Sequence, residues 1–261
     1  MVKETEEARD KRKRDFISAL KNNKCRALLK PLSGAIKDYF DGKTEADNVF
    51  KLAAYVGRHG KDLQATFKKR PDVILAGINM EENKYITEVG EINVKVRQGD
   101  ITVLFADAVI NPANTQGMMG GGVAEAIKQI GGDEIEKQAV SKAPIDIGTA
   151  ISTTAGKLPN LYVIHAPTVD TPGGASSPDM IKSAVTGALQ EAERLECETL
   201  AMPGMGTGVG GVSPKDAAQA MLEAIKDHEP KTVADIILID RGEEMVNAYI
   251  EILEKYDEEN E

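Results

Sequence analysis

Pro203-Gly204-Met205-Gly206-Thr207-Gly208-Val209-Gly210-Gly211 is the stretch on which the fold turns. It stands between a short apolar run, Thr199–Met202, and a segment with the start signals of a helix. Those signals are Ser213 at the cap, Pro214 at the first helical position, and Asp216 at capping-box spacing before Met221, Ala224 and Ile225. Residues without side chains let a backbone approach a ligand and aim its N–H groups at an anion, and the helix that follows adds the positive end of its dipole. A glycine-rich turn can also be a plain connection, so the surrounding sequence has to decide. Gly206, Gly208 and Gly211 satisfy G-x-G-x-x-G, yet a dinucleotide unit also needs an acidic residue about twenty positions on and several later strands. Here the next strand ends near Asp240 and one helix follows, which disfavours an NAD-dependent oxidoreductase.

Upstream lies a second run of the same kind, Gly117-Met118-Met119-Gly120-Gly121-Gly122-Val123, between a strand ending at Asn114 and a helix beginning near Val123. Neither run closes in Gly-Lys-Ser/Thr, so a P-loop lysine grip on phosphates is not expected. Two such loops at strand C-terminal ends make two jaws for one diphosphate, held by amides and helix dipoles. The rest of this half alternates β-branched runs with amphipathic helices, the grammar of an α/β sheet. Strands are expected at Ile92–Arg97, Ala108–Asn111, Thr149–Thr154, Leu161–His165, Thr199–Met202 and Val233–Ile239. Ser177 and Pro178 open a helix with Ile181, Ala184, Val185, Ala188, Ala192 and Leu195 on one face. A last helix turns Met245, Tyr249, Ile252, Leu253 and Tyr256 inward before an acidic tail, residues 257–261, that should fray.

Residues 1–88 read differently. Charged stretches alternate with Phe16, Leu20, Leu28, Leu29, Val49, Phe50, Leu63 and Phe67, a helical pattern with breaks near Pro31, Gly42, Gly60 and Pro71. The cluster Lys11 to Arg14 is flanked by Glu6, Glu7, Asp10 and Asp15 and reads as a solvated helix face. This region is assigned a packing or partner role, and no motif in it identifies the protein partner.

Composition narrows the chemistry. The 261 residues carry a net charge of −10, and aromatic residues make up 4% with no Trp, which argues against general nucleic-acid binding. Cys25 and Cys197, and His59, His165 and His228, have neither metal-ligand nor triad spacing, so the expected chemistry uses no metal and His165 is read as a core or loop residue. No apolar run approaches the roughly twenty residues that span a bilayer, and Met1 to Arg14 has no apolar leader, so membrane association is not expected and cytoplasmic residence is.

Gly99-Asp100-Ile101-Thr102, then Asn111-Pro112-Ala113-Asn114, then the two glycine loops form an ordered set. That set resembles the macrodomain family over about residues 89–256. The resemblance implies a three-layer α/β/α fold with a mixed central sheet, preceded here by the helical N-terminal region, and a ligand that is ADP-ribose or an ADP-ribosylated molecule, with no cofactor. It implies that Asp100 accepts a hydrogen bond from the adenine amino group with the Ile101 amide beside it, and that Asn114 holds the distal ribose. Gly121, Gly122, Val123 and Ala124 match the first phosphate loop, and Gly206, Thr207, Gly208, Val209 and Gly210 the second. Tyr162-Val163-Ile164-His165-Ala166-Pro167 and Ile237-Leu238-Ile239-Asp240-Arg241 resemble later strands of the family.

The sequence departs from the pattern in three places. Ala124 stands where ester-cleaving members carry a catalytic aspartate, which leaves Asn114 and the substrate's own pyrophosphate to orient water. Gly210 replaces the Phe or Tyr set against the distal ribose, so that side of the cleft should be more open. Ile239 replaces the aromatic residue that stacks on adenine, so aliphatic contact is expected there. Two functions remain open at this point: hydrolysis at the distal ribose of an ADP-ribosyl ester, O-acetyl-ADP-ribose or ADP-ribose 1″-phosphate, or a non-catalytic reader whose N-terminal helices dock a partner.

Overall fold

The computed structural model describes residues 83–260. The helices expected before residue 81, with Cys25 and His59, lie outside the described residues. In chain order the elements are β1 (Tyr85–Val89), β2 (Ile92–Gln98), a 3-10 turn (Ile101–Val103), β3 (Ala108–Asn114), α1 (Gly122–Gly131) and α2 (Glu134–Ser141). There follow β4 (Ile151–Thr154), β5 (Tyr162–Val169), α3 (Pro178–Arg194), β6 (Thr199–Met202), α4 (Pro214–Lys226), β7 (Asp235–Asp240) and α5 (Glu243–Asn260).

The strands form one mixed sheet in the order β1-β2-β7-β6-β3-β5-β4. β2, β7, β6, β3 and β5 run parallel, and β1 and β4 are antiparallel strands at the two edges. Both faces are covered, as a parallel sheet requires, and the period-2 alternation of the strands sorts side chains between two cores. Ile236 and Leu238 on β7, Leu200 and Met202 on β6, and Ala108 and Ile110 on β3 face a core shared with α3, α4 and α5. Ile237 and Ile239, Ala201 and Val109 face a smaller core with Ile127 of α1 and Ile135 of α2. Each Val, Leu, Ile or Met side chain among these, fully buried, contributes roughly 1.5–3 kcal/mol.

The helix starts follow the sequence. Ser177 Oγ accepts the Met180 amide at the head of α3, and Ser213 Oγ accepts the Asp216 amide while donating to Asp216 Oδ2 at 2.7 Å. At the far end of α3, Glu193 fastens the chain entering β7. Its carboxylate accepts from the amides of Lys231 and Thr232 at 3.0 and 2.8 Å, from Thr232 Oγ1 and from His228 Nε2. Burial opposes ionisation of Glu193, but these hydrogen bonds outweigh it and lower its pKa to about 2.

Several elements differ from the sequence reading. The sheet begins before residue 89, because Tyr85–Val89 pairs with β2 along its whole length. β3 and β5 run on to Asn114 and Val169, since each supplies the other with a parallel partner through that stretch. α2 was not foreseen; only Ile135 and Ala139 of its eight residues are buried, too few for a periodic signal. The acidic tail does not fray as expected: α5 continues to Asn260, and Asp257 accepts hydrogen bonds from Tyr85 Oη and Thr87 Oγ1, both at 2.6 Å. Among the described residues no helix is long and apolar enough to cross a membrane.

Candidate functional site

β6 pairs with β3 only at Ala108 and Val109, whereas β5 accompanies β3 as far as Asn114. Beyond Val109 the strands on either side of this line part company, and a crevice opens outside their C-terminal ends. Pro112, which cannot donate to a ladder, falls in that one-sided stretch. The cavity there measures about 420 Å³ and is lined by the ends of β3 and β5, both glycine loops and Asp240 at the end of β7. This is where ligands sit in open α/β sheets.

The first loop is fixed at its base and released at its tip. Asn114, 9% exposed, accepts the Gln116 and Met118 amides on Oδ1 at 3.1 and 3.2 Å and donates from Nδ2 to the Met118 carbonyl at 2.9 Å. Gly117 lies at φ +70°, and a Cβ on it would fall 2.8 Å from the carbonyl carbon of Ala139, so only glycine fits. The Met119 amide donates to Glu136 Oε1 at 2.7 Å, and Glu136 is paired with Lys128. Past that anchor the protein offers nothing. The α1 cap, Gly121, makes no side-chain hydrogen bond, in contrast to the serine caps of α3 and α4. Among the described residues the amides of Gly120, Gly121, Gly122, Val123 and Ala124 have no acceptor in the protein.

The second loop closes on itself at its ends, Gly211 donating to the Gly208 carbonyl and Val212 to the Gly206 carbonyl. Between those bonds, among the described residues, the amides of Thr207, Gly208, Val209 and Gly210 also lack an acceptor. Both sets line the same cavity, which among the described residues is lined by no lysine or arginine. Gly120, Gly121, Gly122, Gly208 and Val209 are exposed, so their amides are open to solvent and available to a ligand. The α1 N-terminus, where the dipole is worth about +0.5 charge, favours an anion there.

Gly210 lines the cavity and packs closely against its own loop. A Cβ on Gly210 would lie 2.5 Å from the Gly206 carbonyl oxygen and 2.8 Å from Ser176 Cβ, and the Gly210 carbonyl accepts the Ser176 amide. Glycine at this position lets the loop pack tightly against the segment before α3. Ile239 is not a cleft residue either: it is 3% exposed and points, by strand alternation, into the smaller core, where Ile101 joins it at 7%. The residue that reaches the cavity is its neighbour, Asp240.

Asp100 stands outside the cavity wall, at the head of the 3-10 turn. Its Oδ1 accepts from the Thr102 amide and hydroxyl at 2.9 and 2.7 Å, and its Oδ2 from Arg241 at 2.5 Å. Burial works against its charge, but the bonds from Thr102 and Arg241 prevail and hold its pKa below the ordinary carboxylate value. The structure thus gathers Asn114, Gly121, Gly122, Val123, Ala124 and the second loop into one cavity, and sets Asp100 and Ile101 beyond the end of β2. Sequence reasoning missed Thr168 and Val169 at the end of β5, and Pro172 and Gly173 after it, which reach the cavity beside β3. It also missed Asp240 as a lining group, although that residue was visible at the end of its strand.

His165 is a core residue, as expected. It has no exposure and lies between Asn111 Nδ2 at 3.1 Å and Thr153 Oγ1 at 3.0 Å, and burial, with a smaller contribution from Lys142, lowers its pKa to about 3. Cys197 is buried as well, and burial, then the Asp107 carboxylate, push its thiol up to about 12, far from a reactive thiolate.

Residues 110–221 match the family model of the Macro domain. A protein of Aquifex aeolicus is 50% identical over 162 residues, covering 62% of this chain and 98% of its own length. The chain belongs to the macrodomain family. An Aeropyrum pernix protein is 42% identical over 60% of this chain and 82% of its own, and a Mycobacterium tuberculosis protein is 40% identical over 62% of this chain but only 45% of its own. Among solved structures, the Oceanobacillus iheyensis macrodomain with ADP matches with a TM-score of 0.59 at 22% identity, over 67% of this chain and 97% of that one. The Trypanosoma brucei macrodomain in complex with ADP-ribose matches at 0.56 and 23%, over 61% of this chain and 68% of that one. These likenesses show the macrodomain fold, with its mixed sheet between two helical layers. The sheet order also differs from the 3-2-1-4-5-6 of a dinucleotide-binding unit, so the G-x-G-x-x-G of the second loop sits in a different topology.

Proposed function

We propose that this macrodomain binds ADP-ribose, free or as part of an ADP-ribosylated conjugate, across the ends of its parallel strands. The carrying observation is that two loops whose amides lack protein acceptors line one cavity with no cationic side chain among the described residues, an arrangement suited to a diphosphate. The Oceanobacillus macrodomain with ADP and the Trypanosoma macrodomain in complex with ADP-ribose support the same reading. Dimensions agree. From β2, which leads to Asp100, to β5, which leads to Thr168, are four strand steps of about 4.8 Å, or about 19 Å, the scale of an extended ADP-ribose. Adenine then lies by Asp100, the diphosphate between the loops after β3 and β6, and the distal ribose by Asn114.

Recognition is favoured over hydrolysis with a general base. Ala124 places no carboxylate at the first turn of α1, and no histidine or thiol lines the cavity among the described residues. Asn114 Oδ1 is already occupied by two amides, so it is a poor acceptor for a proton from water. Nδ2 keeps one hydrogen with which to hold a ribose hydroxyl. Cleavage would rest on that donor, the bound diphosphate and the loop amides.

Titration calorimetry with ADP-ribose, ADP, AMP, NAD and ribose 5-phosphate tests binding; affinity for NAD without affinity for ADP-ribose refutes it. Single-turnover assays on an ADP-ribosyl ester, O-acetyl-ADP-ribose and ADP-ribose 1″-phosphate test catalysis. A reader gives no cleavage in the wild type. A hydrolase loses turnover in Asn114→Ala far more than it loses binding, and keeps or gains turnover in Ala124→Asp.

A further inference from the structure

Among the described residues Asp240 is the one charged side chain lining the cavity. That is an unfavourable group to place beside a diphosphate unless it meets hydrogen-bond donors, because like charges at close range raise the cost of binding. Its position resolves the conflict. In the sheet, β7 lies between β2, which leads to Asp100, and β6, which leads to the second phosphate loop. Asp240 therefore stands one strand step of about 4.8 Å from the phosphate loop, on the side away from Asn114.

From this placement we infer that Asp240 recognises the hydroxyls of the adenosine ribose and makes the site selective for nucleoside diphosphates with a free 2′-hydroxyl; the inference rests on the ADP-ribose reading above. The side chain is held for this task. Oδ1 accepts the Gly242 amide at 2.8 Å, while Oδ2 receives only a long bond of 3.3 Å from the Gly204 amide, and Gly204 itself lines the cavity. Oδ2 thus retains acceptor capacity for a hydroxyl donor. A carboxylate that accepts from ribose hydroxyls is a general device for rejecting a 2′-phosphate, by charge repulsion and by the loss of the donor. Arg241, the neighbouring cation that would favour such a phosphate, does not line the cavity and is engaged by Asp100.

The test is calorimetry with ADP, 2′-deoxy-ADP, ADP-ribose and 2′-phospho-ADP-ribose on the wild type and on Asp240→Asn, with thermal unfolding of each as a check on folding. The wild type should bind ADP about ten- to hundredfold tighter than 2′-deoxy-ADP, the range of a hydrogen bond to a charged group, and should discriminate against 2′-phospho-ADP-ribose at least as strongly. Asp240→Asn should lessen both preferences, the second more, because it removes the charge and keeps an acceptor. Wild-type binding that ignores the 2′ position, or prefers the 2′-phosphate, overturns the assignment of Asp240 while ADP-ribose binding stands. Wild type that binds none of the four ligands overturns the function beneath it and this inference together. A folded Asp240→Asn that keeps both preferences also overturns the assignment, and where the variant does not fold the wild-type comparison can still overturn it.

Discussion

The two glycine loops look alike in sequence and use their glycines differently. In the first, a Cβ on Gly120, Gly121 or Gly122 would meet nothing within 4 Å, so the missing side chains leave space on the cavity side. In the second, Gly206 and Gly210 are crowded by Ser176, Ile181 and the loop's own backbone, and only Gly208 and Gly211 have open surroundings. Glycine therefore clears room for a ligand in one loop and lets the protein pack against itself in the other. The first loop takes its rigidity from Asn114, Gly117 and Met119 at its base; the second takes it from the packing of its glycines.

The sharpest break comes from Gly206→Val. The residue lies at φ +69°, and its Cβ would fall 2.8 Å from Ile181 Cδ1 and 2.9 Å from Ser176 Oγ. A β-branched side chain there combines backbone strain with overpacking, and a loss of about 3 kcal/mol in unfolding free energy is expected by denaturant titration. A midpoint equal to wild type would show that the second loop is not held by packing.

Gly208→Val should give the opposite profile. With open surroundings and an unstrained backbone, the fold is kept, while the branched side chain stands where the diphosphate would lie. ADP-ribose affinity should fall about hundredfold, equal to about 2.7 kcal/mol, with the melting temperature within a few degrees of wild type. Gly122→Val is a less clean version, because Gly122 lies at φ +58°. Unchanged affinity in folded Gly208→Val would remove this loop from the phosphate site.

Glu193→Gln sharpens the comparison from outside both loops. Its folded pKa, about 2, is below the ordinary value of 4.5, so its contribution to stability is full above the unfolded pKa and fades as pH falls through the folded one. The variant should be about 2 kcal/mol less stable at pH 7, with the gap closing between pH 4.5 and 2, and ADP-ribose affinity at pH 7 unaltered. Chemical denaturation across pH reads the first, calorimetry the second. A gap that persists at pH 2 would mean that packing, not charge, is what Glu193 supplies.

The smallest effect is expected at Asp100, whose side chain is 36% exposed. Asp100→Ala should weaken ADP-ribose about tenfold, the low end for a hydrogen bond to a charged group, and leave ribose 5-phosphate unchanged. Equal losses for both ligands would place Asp100 in the structure of the 3-10 turn alone.

Local patterns were sufficient for much of this molecule. The serine-proline starts at Ser177 and Ser213, the β-branched runs of β2 and β6, and the buried stripe of α3 are each set by neighbours within a few residues, and so is the pair of glycine loops. What the chain alone could not settle depends on partners distant in sequence. β3 and β5 are longer than their patterns because each completes the other. β1 and the end of α5 are ordered by contacts across about 170 residues, from Tyr85 and Thr87 to Asp257. The same holds within the site. Alternation along a strand buries Ile239 and brings Asp240 to the cavity, and only the packed neighbourhood of Gly210 reveals that its missing side chain closes the loop. Sequence determined which segments could bind an anion. Tertiary structure decided which amides lack partners and which groups share the cavity, because hydrogen-bond satisfaction and steric room are set by whatever the rest of the chain places alongside.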